Sequence, residues 1–131
     1  MTDILPPPIP DPVYEVDELT TPTYRATVVD DSDPPVALPA ASLTTLTLSL
    51  YVIEDDGSIT YIRQAQNVKN TNNVTVSALG ALVWSIQAAD TTLVNTVPYE
   101  HHYAFFRWTW GSGKVGSRTI VLNVRQLPVV A

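Results

Sequence analysis

Apolar and polar side chains alternate with a period of two along much of this chain. That period predicts strands, because successive side chains of an extended backbone point to opposite faces. The dominant stretch is Tyr99–Trp110, YEHHYAFFRWTW. One face carries Glu100, His102, Ala104, Phe106, Trp108 and Trp110; the other carries His101, Tyr103, Phe105, Arg107 and Thr109. After a glycine turn, Ile120, Leu122 and Val124 alternate with Val121, Asn123 and Arg125. The two runs predict a hairpin whose loop is set by Gly111, Gly113 and Gly116. Large aromatic side chains bury the most area, so this hairpin is expected to supply the largest share of the core.

The cleanest alternation is Leu43–Ile53, with Leu46, Leu48, Leu50 and Val52 on one face and Thr45, Thr47, Ser49 and Tyr51 on the other. Asp56-Gly57 then closes a turn and residues 58–63, SITYIR, return as a second strand. Residues 24–29, 74–78 and 82–86 predict further short strands, and QAQNVKNTNN reads as a polar loop. Residues 88–98 form a connection that holds a helical turn after Asp90. No long segment repeats at 3.6 residues, so helix content is expected to be small. About seven short strands with turns between them predict an all-β, two-sheet antiparallel sandwich, with a closed barrel as the alternative.

Proline changes the picture at the start of the chain. Only Pro98 and Pro128 of the eleven prolines lie beyond the first forty residues. Pro6, Pro7, Pro8, Pro10 and Pro12 exclude a helix interior or a central strand there. Ile4, Leu5, Ile9, Val13, Tyr14 and Val16 are apolar anchors that a plain spacer would not need. Residues 1–39 are therefore expected to be an extended arm and linker, and residues 40–131 the sandwich. The arm would lie along a neighbouring subunit through Ile4, Leu5, Pro7, Ile9, Val13 and Tyr14, with proline lowering the entropy lost on docking.

Composition narrows the function. The chain has 131 residues, a hydrophobic fraction of 45% and a charged fraction of 15%, enough for one domain with an ordinary core. No run of ~18 apolar residues predicts a membrane helix, and the N-terminus lacks the basic start and apolar stretch of a secretory signal. There is no cysteine, which excludes disulfides and thiolate metal sites. A net charge of −6 argues against nucleic acid as a partner, because phosphate contact needs Lys and Arg.

Candidate chemistry is sparse. His101 and His102 face opposite sides of a strand and cannot ligate one ion together. Glu100 and His102 share a face, but no third and fourth ligand stands nearby. The expectation is an inner histidine hydrogen-bonded across the sheet, with no metal, cofactor or catalytic residue. Ser112 belongs to a turn and no serine sits in a nucleophile elbow. The outward aromatics Tyr51, Tyr61, Tyr103 and Phe105 are expected to be covered by the proline arm or a second sheet; left exposed, they would offer a surface for sugar stacking or protein contact.

The runs ASLTTLTLSLYVIEDDGSI, QNVKNTNNVTV, GALVWSIQAAD and YEHHYAFFRWTW with GSGKVGSRTIVLNV resemble a group of small virion proteins of tailed bacteriophages. The resemblance covers about residues 40–126, and Glu100-x-His102 with Phe106-x-Trp108-x-Trp110 is its most specific part. It implies an immunoglobulin-like antiparallel β-sandwich. It also implies a non-enzymatic structural role in the virion, as capsid decoration or cement or as a neck or head–tail protein. Expected partners are other virion proteins (major capsid, portal or neck, tail) or further copies of the chain, assembled in the host cytoplasm, with no membrane and no nucleic acid. The alternative is a tail or host-surface carbohydrate-binding module that uses exposed aromatics, Tyr103 and Phe105.

Overall fold

A computed structural model describes residues 13–127. Eight strands form two sheets: β1 Val13–Asp17, β2 Thr23–Thr27, β3 Leu43–Ile53, β4 Ile59–Asn67, β5 Val74–Val76, β6 Ala81–Ser85, β7 Tyr99–Trp110 and β8 Lys114–Arg125. The larger sheet runs β1-β8-β7-β3-β4 and the smaller β2-β6-β5. Two short 3-10 turns, Ala40–Ser42 and Ala88–Thr91, are the helical content among the described residues. This strand order is that of an immunoglobulin domain. The smaller sheet corresponds to strands B, E and D, and β8, β7, β3 and β4 to G, F, C and C′. The first strand lies beside the last.

The period-two runs place the core. Leu46, Leu48 and Leu50 of β3, Phe106 and Trp108 of β7, and Ile120, Leu122 and Val124 of β8 are buried against Tyr24, Val74, Val76, Leu82 and Trp84 of the smaller sheet. Phe106 links the two layers. Trp84 meets it edge-on at 5.6 Å and Tyr24 stacks on it at 6.1 Å between ring centroids. Antibody domains join strands B and F by a disulfide; here β2 and β7 are joined through Tyr24 and Phe106. Each such fully buried side chain contributes about 1.5–3 kcal/mol.

Several expectations change. Among the described residues the sandwich has eight strands, in line with the seven or so expected, but the larger sheet is mixed, because β1 pairs parallel to β8 from Val13↔Val121 to Asp17↔Arg125. The boundary at residue 39 is also corrected. β1 and β2 are integral strands, and residues 28–38 add an isolated bridge, Val29↔Ala37, with Val28 and Leu38 buried. Val13 and Tyr14, expected on a neighbour, lie on the chain's own β8, and the Tyr14 ring packs edge-on against Tyr24 at 5.7 Å. Ile4, Leu5, Pro7 and Ile9 lie outside the described residues. The QAQN segment belongs to β4 and not to a loop.

Two local irregularities set the positions of interior side chains. β3 and β4 slip register between Leu50↔Arg63 and Tyr51↔Tyr61, where β4 carries an extra residue. A bulge of this kind re-aims a side chain. Arg63 thereby comes opposite the inward Leu50, while Tyr61 stays outward beside Tyr51. Gly116 is not part of the hairpin loop but lies within β8 opposite Trp108. A Cβ at Gly116 would overlap the Trp108 indole, with Cε2 at 2.6 Å and Cζ2 at 3.0 Å. The Trp108 Nε1–H donates to the Val29 carbonyl at 3.0 Å, so the ring cannot withdraw without losing that bond. Gly116→Ala is therefore expected to destabilise the domain by about 1–3 kcal/mol, as overpacked cores do, read as a lower urea midpoint with an unchanged slope.

Candidate functional site

The singled-out Glu100 and His102 lie two residues apart on the inner face of β7, and both are buried. Their side chains meet at 2.7 Å, His102 Nε2 to Glu100 Oε1. His102 Nδ1 lies 2.9 Å from the carbonyl oxygen of Asp90. A carbonyl only accepts, so Nδ1–H donates to it, and Nε2 faces the Glu100 carboxyl. The histidine therefore bonds to its own strand and to the β6–β7 connection, not across the sheet as its burial alone suggests. Glu100 also accepts the backbone N–H of Val94 at 2.7 Å and of Asn95 at 2.9 Å. Burial pushes its carboxyl upward, but the Val94 N–H, His102 and the Asn95 N–H together outweigh burial and hold it below the usual glutamate value.

Asp90 anchors the other end of this connection. Its oxygens take Arg63 Nε at 2.7 Å and Arg63 Nη2 at 2.8 Å, a two-pronged pair with both side chains nearly closed to water. The Asp90 carboxylate also accepts the Gln87 N–H at 2.8 Å, capping the 3-10 turn. The Arg63 guanidinium carbon lies 5.8 Å from the centre of the Trp84 ring, a cation–π distance. Arg63 Nη1 reaches the Asn72 carbonyl at 2.9 Å. One chain of polar contacts thus runs from β4 through the β6–β7 connection to β7. Each heteroatom that could act as a base or nucleophile in it already holds a partner within the protein. Its chemistry is that of a buried clamp.

The outer face of the larger sheet differs. Tyr51 stacks on Tyr103 at 5.6 Å with planes 15° apart; Tyr61 meets Tyr51 edge-on at 5.9 Å, and His101 meets Tyr103 edge-on at 6.3 Å. Burial first, then the neighbouring Tyr103 and Tyr61 hydroxyls, raises the Tyr51 phenol above its ordinary value. Phe105 is half-buried on the same face, opposite Ser49 and Thr119. Beside the tyrosines opens a cleft of about 620 Å³ between the β3–β4 turn, the β6–β7 connection and the start of β7. Glu54, Asp55, Asp56, Asn95, Tyr99 and His101 are among its walls. Asn95 Nδ2 bridges Glu54 and Glu100, with Glu54 oxygens at 3.1 and 3.2 Å and Glu100 Oε2 at 3.2 Å.

Tyr51, Tyr61, Tyr103 and Phe105 are thus brought to one face, whereas Val13 and Tyr14 are taken into the domain's edge. Among the described residues no group of three His, Asp or Glu is arranged to hold a metal. Sequence reasoning missed Arg63, Asp90 and Asn95. Asp90 had a usable signal in Gln87-Ala-Ala-Asp90, a three-residue cap spacing; Arg63 had none, because the bulge that turns it inward leaves no mark in the period.

No family model matches the chain, and no curated protein does. Among solved structures, that of murine CRIg aligns over 88% of this chain and 92% of that one, at 9% identity and a TM-score of 0.41.

Two outcomes are expected of the clamp. Arg63→Met leaves the Asp90 carboxylate buried without its cation and should cost about 3–5 kcal/mol in chemical denaturation. Glu100 titrates at lower pH folded than unfolded, so between the two values the unfolded chain binds more protons. Its contribution is complete above the unfolded value, near 4.5, and is lost as pH falls through the folded one. Stability measured by denaturant titration should fall across that acid range, and the fall should be shallower in Glu100→Gln.

Proposed function

We propose that the chain is a non-enzymatic structural component of a tailed-phage virion, one that docks on neighbouring virion subunits through its N-terminal segment. The resemblance over residues 40–126 supplies the setting. The occupied clamp favours a rigid scaffold over a catalyst, because Glu100, His102, Asp90 and Arg63 all hold the β6–β7 connection in place. The observation that carries the docking role is the position of β1. It is the last strand of the larger sheet, and no described strand pairs with its outer side. Residues 1–12, with Ile4, Leu5, Pro7 and Ile9, directly precede β1 in the sequence. Val13 and Tyr14 are withdrawn from the docking set and given to the domain.

Partners in this reading are capsid, portal or neck, and tail subunits, or further copies of the chain. A proline-rich segment suits such docking because little of its freedom remains to be lost. A rigid domain that presents such a segment binds by wrapping a neighbour, with main-chain and apolar contacts spread along the segment.

Because β1 belongs to the domain, the test must stop short of Val13. A chain lacking residues 2–12 should keep the unfolding midpoint of the full chain. It should be incorporated into purified particles at about a tenth or less of the full-length occupancy, measured by quantitative mass spectrometry. Full occupancy of the truncated chain would overturn the docking role, and absence of the full-length chain from particles would overturn the virion role.

A further inference from the structure

The outer face of the larger sheet carries large apolar side chains that stay exposed. Ile53, Ile59, Tyr61 and Tyr99 keep 45–55% of their surface exposed. The registers Tyr51↔Tyr61 and Ile53↔Ile59 put two pairs of β3 and β4 side chains on one side, and Tyr51↔Tyr103 joins them to β7. No third layer lies over this face among the described residues. A contiguous exposed apolar surface of this kind marks a contact site. Tyrosine is the residue type enriched in such contacts, as it offers a rigid ring and a polar tip.

We propose that this face, with the cleft at its upper end, docks a basic protein surface, with a Lys or Arg side chain entering the cleft and apolar groups covering the tyrosines. Charge identifies the occupant. The cleft walls include Glu54, Asp55 and Asp56 and no Lys or Arg, while the buried Glu100 at their inner side is already paired with His102. Glu54 and Glu100 are engaged by Asn95, and Asp56 accepts the Ser58 N–H at 2.9 Å, while Asp55 stands exposed at the lip. Unbalanced negative potential beside an apolar surface selects a partner of opposite sign and repels its own.

The other occupants fit less well. The chain's own residues 1–12 contain Asp3 and Asp11 and no Lys or Arg. A second copy would bring a net charge of −6 and the same acidic lip to the contact. A sugar would need an open ring face, but Tyr51 and Tyr103 each cover one face of the other, and Tyr61 and His101 meet these two rings edge-on. The proposal adds a second surface to the N-terminal docking and stands without it.

The test is an amide-resolved NMR titration of the full chain with two acetylated, amidated octapeptides. They share the same four apolar residues, and the other four are Lys and Arg in one and Glu in the other. The basic peptide should move the amides of residues 53–58 and 95–103 together and saturably, and more weakly as salt rises. Asp55→Lys and Tyr61→Ser, both at exposed positions, should each weaken it about tenfold while leaving the remaining spectrum in place. Equal binding of the acidic peptide, or no saturable change at these amides, would overturn the proposal. So would a face already covered: amides that move when residues 2–12 are deleted, or a dimer in sedimentation that Tyr61→Glu dissolves. Movement of the same amides by neutral oligosaccharides and not by the basic peptide would overturn it in favour of sugar.

Discussion

No disulfide ties the two sheets, so the domain depends on contact between their inner faces at Phe106. Its ring is central to β7, and the rings of both Tyr24 and Trp84 rest on it from the smaller sheet. The smaller sheet has only three short strands and could not persist alone, since few backbone bonds and one apolar face do not offset the ordering of its chain. It exists because β7 and β3 offer it a buried surface. Tyr24 shows how tightly this surface is shared. Burial raises its phenol above the ordinary value, while Arg118, whose Nε–H donates to it at 2.8 Å, opposes that shift without reversing it.

Polar groups inside this core serve the same end. The β6–β7 connection must cross from the smaller sheet to the larger over the end of the sandwich, and it has only one short 3-10 turn of its own. Its backbone groups need partners, because an unpaired buried N–H or carbonyl costs about as much as a lost hydrogen bond. Glu100 accepts two of its N–H groups and His102 donates to one of its carbonyls, while Arg63 fixes Asp90 from β4. Such pairs add little net stability against an apolar replacement of equal shape. They do specify one path for the connection, and so one position for the start of β7.

Much of this was legible in the alternation of side chains. The inner and outer sets of β3 and β7 follow directly from it, because a strand buried on one face writes its orientation into every second residue. β1 was hidden for a physical reason: VYEVD is short, half exposed, parallel to its partner, and preceded by prolines that read as an extended arm. A parallel edge strand has no hairpin turn to announce it. The clamp was half legible. Glu100 and His102 stood out as a buried-face pair, but Arg63 depends on a bulge, and Asn95 on the path of a loop. Neither leaves a period. The aromatic outer face was legible as a set of residues, whereas the cleft beside it arises only when the β3–β4 turn meets the β6–β7 connection.

β7 is loaded with large side chains on both faces, and this joins the fold to its use. The inner set is needed to hold two sheets without a disulfide. Nothing in that requirement extends to Tyr103 and Phe105 outside, nor to Tyr51, Tyr61 and the two isoleucines beside them. Threonine and serine on the lower half of the same β3 face show what an uncommitted wet surface of this sheet looks like: Thr45, Thr47 and Ser49 give way to Tyr51 and Ile53 only toward the cleft. Thr45 bonds to Thr109 and Ser49 to the Ala65 N–H, so that half is finished by small polar contacts within the sheet. The change of character within one strand places the apolar surface at the acidic end of the domain. Carboxylates around such a surface disfavour contact between like-charged copies and favour contact with a cationic group. The strands that close the sandwich thus also carry the apolar outer surface on which the proposed contact rests.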